Sequence, residues 1–364
     1  MAILAGGRWY RVGLESGKAR LIRGAPERPL TTITTGPETL AALEAGASGL
    51  EAFLEGRLKV RGNLALSLRL DALWGEAGAS KRHLKWGLAE AAGIETSYLE
   101  AGPRRGRPVI LLHGLSATNA SFLPTFWSLA RTHRVIAPDL PGHGDSSKPI
   151  RAYHAGFFAR WLAAFLDSLE VGGADLVGNS LGGRIALEAG FRYPARVGRL
   201  VLLAPALAFL RHRQYVRLVR LLRPELAVVP LVLTHGRVVA SLKSFFARPS
   251  RLPEEWYTAA ADEFLRIFRQ PRGRIAFFSA LRQLYMDESH GPRGCWERLP
   301  ALQAPALFVW GDRDWLVPAA FALHVQRHLP SARSVVLPNC GHVPQYELPE
   351  QTNRLIARFI EDRS

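Results

Sequence analysis

Cysteine is nearly absent from this chain: 2 in 364 residues, Cys295 and Cys340. So few thiols exclude a disulfide scaffold and a cysteine-built metal cluster, and they make a reducing, cytoplasmic location the default expectation. Long apolar runs are missing too. The longest, Leu200–Leu210, is broken by Pro205 and falls short of the roughly 18–20 residues of a membrane-crossing helix. The opening stretch MAILAGGRWYRVG has neither a basic start nor a sustained apolar run, so no secretory signal is expected. Negative charge is scarce beside positive: 31 Asp and Glu against 47 Lys and Arg, a net charge of +16. Lysine itself is rare, 6 of those 47. An excess made of arginine, in a chain rich in Ala and Gly, is also what a GC-rich genome yields. The charge alone therefore does not select nucleic acid, membrane or an acidic substrate.

What is present is ordinary material for a large core: 48% apolar and 21% charged residues. Residues 1–75 read differently from the rest. Arg8–Val12, Ala19–Arg23 and Thr31–Thr35 are short alternating runs punctuated by Gly and Pro, which predicts a small antiparallel meander. Pro37 and Glu38 open a helical stretch, ETLAALEAG, followed by GLEAFLEG, the short run Leu58–Val60, and an apolar helix NLALSLRLDALW. The run PLTTITTGPETLAALEAGASGLEAFLEGRLKVRGNLALSLRL, above all GRLKVRGNLALSLRL at 56–70, is similar to the later half of the sterol carrier protein 2 family. That resemblance implies strands followed by helices that wall an apolar lipid tunnel. The segment is expected to be partial, since the family has a further helix and strand before the part seen here. Residues 76–83, small and charged, read as a linker.

From residue 84 the pattern changes to strand–helix alternation. Val109–Leu112, Val135–Pro138, Asp175–Val177, Leu200–Ala204, Ala306–Trp310 and Ser334–Leu337 are continuous apolar runs, as expected of strands buried on both faces of a parallel sheet. Helical patterns over 122–132, 153–170, 181–193, 319–328 and 350–360 separate them. The predicted fold class is α/β: a doubly wound, mostly parallel sheet over 84–205 and 301–364, with residues 206–300 inserted as a helical cap, preceded by a small N-terminal α+β segment.

The strongest chemical signal is Gly178-Asn179-Ser180-Leu181-Gly182, a G-x-S-x-G pattern directly after a predicted strand and directly before a predicted helix. A serine on such a turn projects its hydroxyl from the sheet edge, and the glycines let strand and helix pass closely. A hydroxyl needs a base to become a nucleophile. His342, in Asn339-Cys340-Gly341-His342, follows the last predicted strand and lies at the same edge; His324 and His328 sit on a helix and are expected at the surface. The acid that orients the base should follow the strand ALFVW, where Gly311-Asp312-Arg313-Asp314 offers two carboxylates. Asp314 is assigned, being far enough along the loop to turn back toward His342, whereas Asp312 is expected to fix the loop or pair with Arg313. Backbone N–H groups of Leu181 and of Leu115, in His113-Gly114-Leu115, are the candidate oxyanion donors. His113 is expected to hold its loop, and His143, in the turn DLPGHG, has no catalytic part.

Together these motifs resemble the α/β-hydrolase superfamily with a helical cap, over roughly residues 84–362. GNSLGG, WGDRD and NCGH followed by PQYELPEQTNRLIARFI look like the branch of esterases, haloperoxidase-like enzymes and carbon–carbon bond hydrolases. The resemblance supports Asp314 as the acid. Ser180 stands where epoxide hydrolases and haloalkane dehalogenases carry Asp, and Val343 where the carbon–carbon hydrolases usually carry Trp.

The expected cap, 206–300, carries 16 Lys and Arg against 8 Asp and Glu, half of the net charge. Its stretch RHRQYVRLVRLLR, at 211–223, interleaves five Arg with Val and Leu. Such a helix either covers a pocket with its apolar face or rests on an anionic membrane. No nucleic-acid-binding motif accompanies it. The function expected is hydrolysis of carboxylic esters in small apolar or lipid-like substrates by Ser180, His342 and Asp314, with no metal or organic cofactor. The alternatives are carbon–carbon hydrolysis or acyl transfer on the same triad, and an inactive lipid carrier or membrane-interaction protein.

Overall fold

The computed structural model describes residues 1–15, 18–25, 27, 29, 31–45, 47, 49–63, 84–207, 221, 223–224, 227, 232–292 and 294–362. The predicted helix at 63–74, the linker at 76–83 and the basic helix at 211–223 lie, but for isolated positions, outside the described residues. Two compact units emerge. One comprises Met1–Leu84, Val232–Ser244 and Pro249–Arg266; the other comprises Lys85–Leu231, Phe245–Arg248 and Ile267–Ser364.

The first unit holds a five-stranded sheet of order β3-β2-β1-β4-β5, from β1 (Ala2–Ala5), β2 (Arg8–Glu15), β3 (Lys18–Arg23), β4 (Thr31–Thr35) and β5 (Leu58–Gly62). The expected meander needs correction here. β1 is an additional strand, and it pairs parallel with β4. Its sequence, AILA, does not alternate because it is almost wholly buried, so the period-2 signature used to find strands is absent from it. Helices Pro37–Glu44 and Gly49–Leu54 connect β4 to β5 and bury Leu40, Leu43, Ala52 and Phe53. Two helices of the 206–300 insertion belong to this unit. His235–Ser244 and Glu254–Phe268 pack through Val238, Leu242, Ala261, Phe264 and Leu265. The edge strand β5 is joined to the second of them by ion pairs Lys59–Glu255, 2.7 Å, and Arg61–Asp262.

The second unit is built on an eight-stranded sheet of order β13-β12-β11-β10-β8-β9-β7-β6. Its strands are β6 (Lys85–Ala91), β7 (Ile94–Ala101), β8 (Val109–Leu112), β9 (Val135–Pro138), β10 (Ala174–Asn179), β11 (Val197–Leu203), β12 (Ala306–Gly311) and β13 (Arg333–Leu337). The strands from β13 to β9 pair in parallel, and β7 and β6 add an antiparallel edge. The fold is thus α/β with a mostly parallel sheet, as the apolar runs predict. β8, β9, β10 and β12 are buried along their whole length. Crossover helices Ala155–Ser168 and Leu181–Arg192 cover the sheet with Phe158, Trp161, Phe165, Ile185 and Leu187. Each such side chain contributes about 1.5–3 kcal/mol by leaving water. Trp161 also donates its indole N–H to Thr96 on β7, at 2.9 Å, so its polar atom is satisfied in the core. The parallel strands all deliver their C-terminal ends to one edge, which places the loops after β8, β10, β12 and β13 together.

Candidate active site

Ser180 is the residue between β10 and helix Leu181–Arg192, with φ 53° and ψ −112°. A serine at positive φ is strained, and the strain is maintained by close packing around it. A Cβ on Gly178 would lie 2.4 Å from the Gly182 backbone, and one on Gly182 would lie 1.9 Å from the carbonyl oxygen of Leu112. The turn can form only with glycine at both positions. Ser180 N–H donates to Leu203 on β11, and its carbonyl accepts from Arg184 and Ala206. The backbone is fixed on every side, while Oγ has no hydrogen-bond partner among the described residues.

His342 is 6% exposed and Asp314 5%. The imidazole Nδ1 and Asp314 Oδ2 are 2.7 Å apart. Asp314 Oδ1 accepts from the N–H groups of Leu316 and Val317, each at 2.9 Å, so the carboxylate is held by its own loop with one oxygen left for the histidine. A carboxylate at Nδ1 favours the tautomer with the proton on Nδ1 and a lone pair on Nε2, and Nε2 has no partner among the described residues. Asn179, beside Ser180, donates its side-chain amide to the carbonyls of Leu203 and His342, at 3.0 and 3.1 Å. This bond joins the serine turn to the histidine loop.

Asp312, the other carboxylate of its loop, takes the N–H of Cys340 at 3.2 Å and faces Arg313 at 3.9 Å. It holds the loop. His113 Nε2 accepts from Leu140 N–H at 2.9 Å, which leaves Nδ1 to donate to the Gly114 carbonyl at 2.8 Å. Both ring nitrogens are occupied by backbone, and burial, with His143 nearby, lowers its pKa to about 3. His143 is lowered by burial to about 4. Both rings are neutral at pH 7. Gly114 approaches the serine turn closely: a Cβ there would be 3.4 Å from both Asn179 Oδ1 and Ser180 Cβ. Leu115 follows it, half-buried, and Leu181 opens the helix after Ser180. The first N–H groups of a helix have no partner inside it and are free for an anion. His324 and His328 are not simple surface groups. Both lie half-buried against the indole of Trp296, at 5.3 and 5.8 Å between ring centroids. Among the described residues no group of three or more His, Cys, Asp or Glu is arranged to hold a metal ion, and no helix is long and apolar enough to cross a membrane.

Two residues tie this site together through backbone groups, Asn179 and Glu347, whose carboxylate accepts from Gly341 N–H at 2.7 Å, and neither carries a separate signal in the sequence. Asn179 occupies an unspecified position of G-x-S-x-G, and Glu347 looks like one more carboxylate of an amphipathic C-terminal stretch. Their roles arise from backbone groups that no motif records.

The profile of the family described as "alpha/beta hydrolase fold" matches residues 107–349, spanning the serine turn, the Asp314 loop and the His342 loop. The chain belongs to the alpha/beta hydrolase fold family. Within the family it is 32% identical over 274 residues to a dihydrolipoyllysine-residue acetyltransferase component of the acetoin cleaving system of Pseudomonas putida, covering 75% of this chain and 68% of that one. It is 30% identical over 287 residues to a 2-hydroxymuconate semialdehyde hydrolase of a Pseudomonas species, covering 75% and 92%. Among solved structures it is similar to a membrane phospholipase A described as a bacterial virulence factor, with TM-score 0.64, 29% identity and coverage of 76% and 86%. The names of these relatives include an acetyltransferase component, a semialdehyde hydrolase and a phospholipase, so membership establishes an enzyme of the alpha/beta hydrolase fold without naming the bond it acts on.

Proposed function

We propose that this alpha/beta hydrolase cleaves carboxylic ester bonds of apolar or lipid-like substrates through an acyl-enzyme. Ser180 is the nucleophile, His342 the base and Asp314 the acid that orients it. The observation that carries the reading is the buried 2.7 Å contact between His342 Nδ1 and Asp314, reached from a serine in a strained turn at the same sheet edge.

In this reading His342 Nε2 takes the Ser180 proton as Oγ attacks the ester carbonyl. Asp314 keeps the imidazole in register and stabilises the imidazolium without accepting the proton. The N–H groups of Leu181 and Leu115 receive the oxyanion. His342 then returns the proton to the leaving alcohol and activates water, which releases the acid and restores Ser180. Ser180→Ala is expected to abolish turnover of short p-nitrophenyl esters in folded protein; undiminished turnover would refute the mechanism.

A second reading, carbon–carbon bond hydrolysis on the same triad, is favoured by the likeness to a 2-hydroxymuconate semialdehyde hydrolase. Val343, where such enzymes usually carry Trp, argues against it. Dienone-type ketones tested beside esters separate the two, and an acyl acceptor other than water tests for acyl transfer. An inactive carrier would leave Ser180 unlabelled by a fluorophosphonate. Residues 1–75 are proposed as a partial sterol carrier protein 2-like segment that binds lipid weakly, and equal lipid association without them would show that they add nothing. Contact with an anionic membrane through the basic insertion is proposed on its charge, and vesicle binding that falls with salt is the expected sign.

A further inference from the structure

Glu347 closes the short helix Pro344–Glu347, five residues after His342. Its side chain is buried, yet it carries two acceptor oxygens, and both are filled by backbone. Oε2 accepts from Gly341 N–H at 2.7 Å and from Ala247 N–H at 3.1 Å; Oε1 accepts from Arg248 N–H at 2.7 Å. Two stretches distant in sequence thus meet on one carboxyl group: the loop that carries His342, and the four residues Phe245–Arg248.

Those four residues also touch His342 itself. The Phe245 carbonyl accepts the His342 backbone N–H at 2.7 Å. The Phe245 ring lies 6.0 Å from the imidazole and stacks on Trp315, the neighbour of Asp314, at 6.2 Å and 12°. Gly341 makes the approach sterically possible: a Cβ there would fall 2.2 Å from the Phe245 carbonyl oxygen and 2.9 Å from Ala247 N. On its other side His342 offers its carbonyl to Asn179. The histidine backbone is therefore gripped at N–H by Phe245–Arg248 and at C=O by the serine turn.

The strap has a further peculiarity. Phe245–Arg248 group with the sheet that carries Ser180, while the residues on both sides, Val232–Ser244 and Pro249–Arg266, group with the N-terminal residues. The chain enters the hydrolase unit for four residues and leaves it again.

We propose that Glu347 is a positioning residue: it locks the Phe245–Arg248 strap onto the His342 loop, and the imidazole is aligned for Ser180 only when the strap is seated. The inference rests on the assignment of His342 as the base, and its test is read at the histidine as well as in turnover.

The experiment compares the full-length chain with Glu347→Ala and Glu347→Gln. The glutamine is nearly isosteric and keeps one acceptor oxygen, but it turns an NH2 toward a backbone N–H. Three quantities are measured: the rate of fluorophosphonate labelling at Ser180, kcat and KM on a short p-nitrophenyl ester, and the far-downfield proton resonance of His342 Nδ1–H facing Asp314. For Glu347→Ala, labelling and kcat are expected to fall roughly 10- to 100-fold, with KM changed less than about threefold, as misplacement of a base without loss of a substrate contact requires. The resonance is expected to broaden or vanish. Glu347→Gln should fall between Glu347→Ala and the unaltered chain, and it carries the test alone if the alanine variant does not fold. A folded variant with unaltered labelling, kcat and resonance overturns the proposal. An unaltered chain that takes no label at Ser180 instead overturns the hydrolase reading, and the resonance still reports whether Glu347 positions His342.

Discussion

Two loops at the same sheet edge each carry a buried histidine, and they treat it oppositely. After β8, His113 gives both ring nitrogens to backbone: Nε2 to Leu140 N–H and Nδ1 to the Gly114 carbonyl. After β13, His342 gives one nitrogen to the Asp314 carboxylate and leaves the other without a partner among the described residues. The first ring is neutral and inert, a bracket between two loops. The second is held by one nitrogen while the other stays open, which is what a proton carrier requires. Burial alone does not separate the two, nor does position after a strand. The count of ring nitrogens already engaged does.

Substitution should split the pair. His342→Ala is expected to lower kcat/KM on esters by roughly 10^3- to 10^4-fold, with little change in thermal midpoint, since the loss falls on the reaction. Asp314→Asn should cost roughly 10^3-fold or more by releasing the tautomer, while the loop bonds to Leu316 and Val317 persist. His113→Ala should show the reverse pattern. It leaves the buried N–H of Leu140 without its acceptor, so stability should drop by about 1–3 kcal/mol in a denaturant titration, with activity reduced far less than by His342→Ala. If His113→Ala instead abolished activity in a fully stable protein, the contrast would be lost.

Acid gives a smaller, reversible version of the same contrast. Burial lowers His113 to about 3 and His143 to about 4, against an ordinary 6.5. Below 6.5 the unfolded chain takes up protons at these positions and the folded chain does not, so their contribution is complete above that pH and is lost progressively as pH falls toward 4 and then 3. At pH 5 each histidine should cost about 2 kcal/mol of folding stability relative to pH 7. A stability that stayed flat from pH 7 to 5 would show that the rings do not stay buried and neutral.

The same loops show how much the sequence could reveal. The strained turn at Ser180 and the contact of Asp314 with His342 were legible because each residue sits at a recognisable offset: a glycine-framed turn, a second aspartate after a strand, a histidine before the last helix. The strands β8, β9, β10 and β12 were legible as apolar runs because both of their faces are buried. β1 was not, since its four residues, three of them buried, show no alternation; the Gly6-Gly7 turn that pairs it with β2 is its one local mark in the sequence. The antiparallel pair β6 and β7 was also missed: Lys85, Trp86 and Glu90 lie at or near the sheet surface and dilute the apolar pattern. Glu347 and the Phe245–Arg248 strap were illegible for a different reason. Their bonds run to backbone N–H groups, which every residue type supplies, so no choice of side chain marks them in advance.

The central claim is that Ser180, activated by the open nitrogen of His342, is the reacting group. Fluorophosphonate labelling followed by peptide mapping tests it most directly. A single adduct on Ser180 is expected, lost in His342→Ala and retained in folded His113→Ala. An adduct on another residue, or one that survives His342→Ala at an unchanged rate, would contradict it.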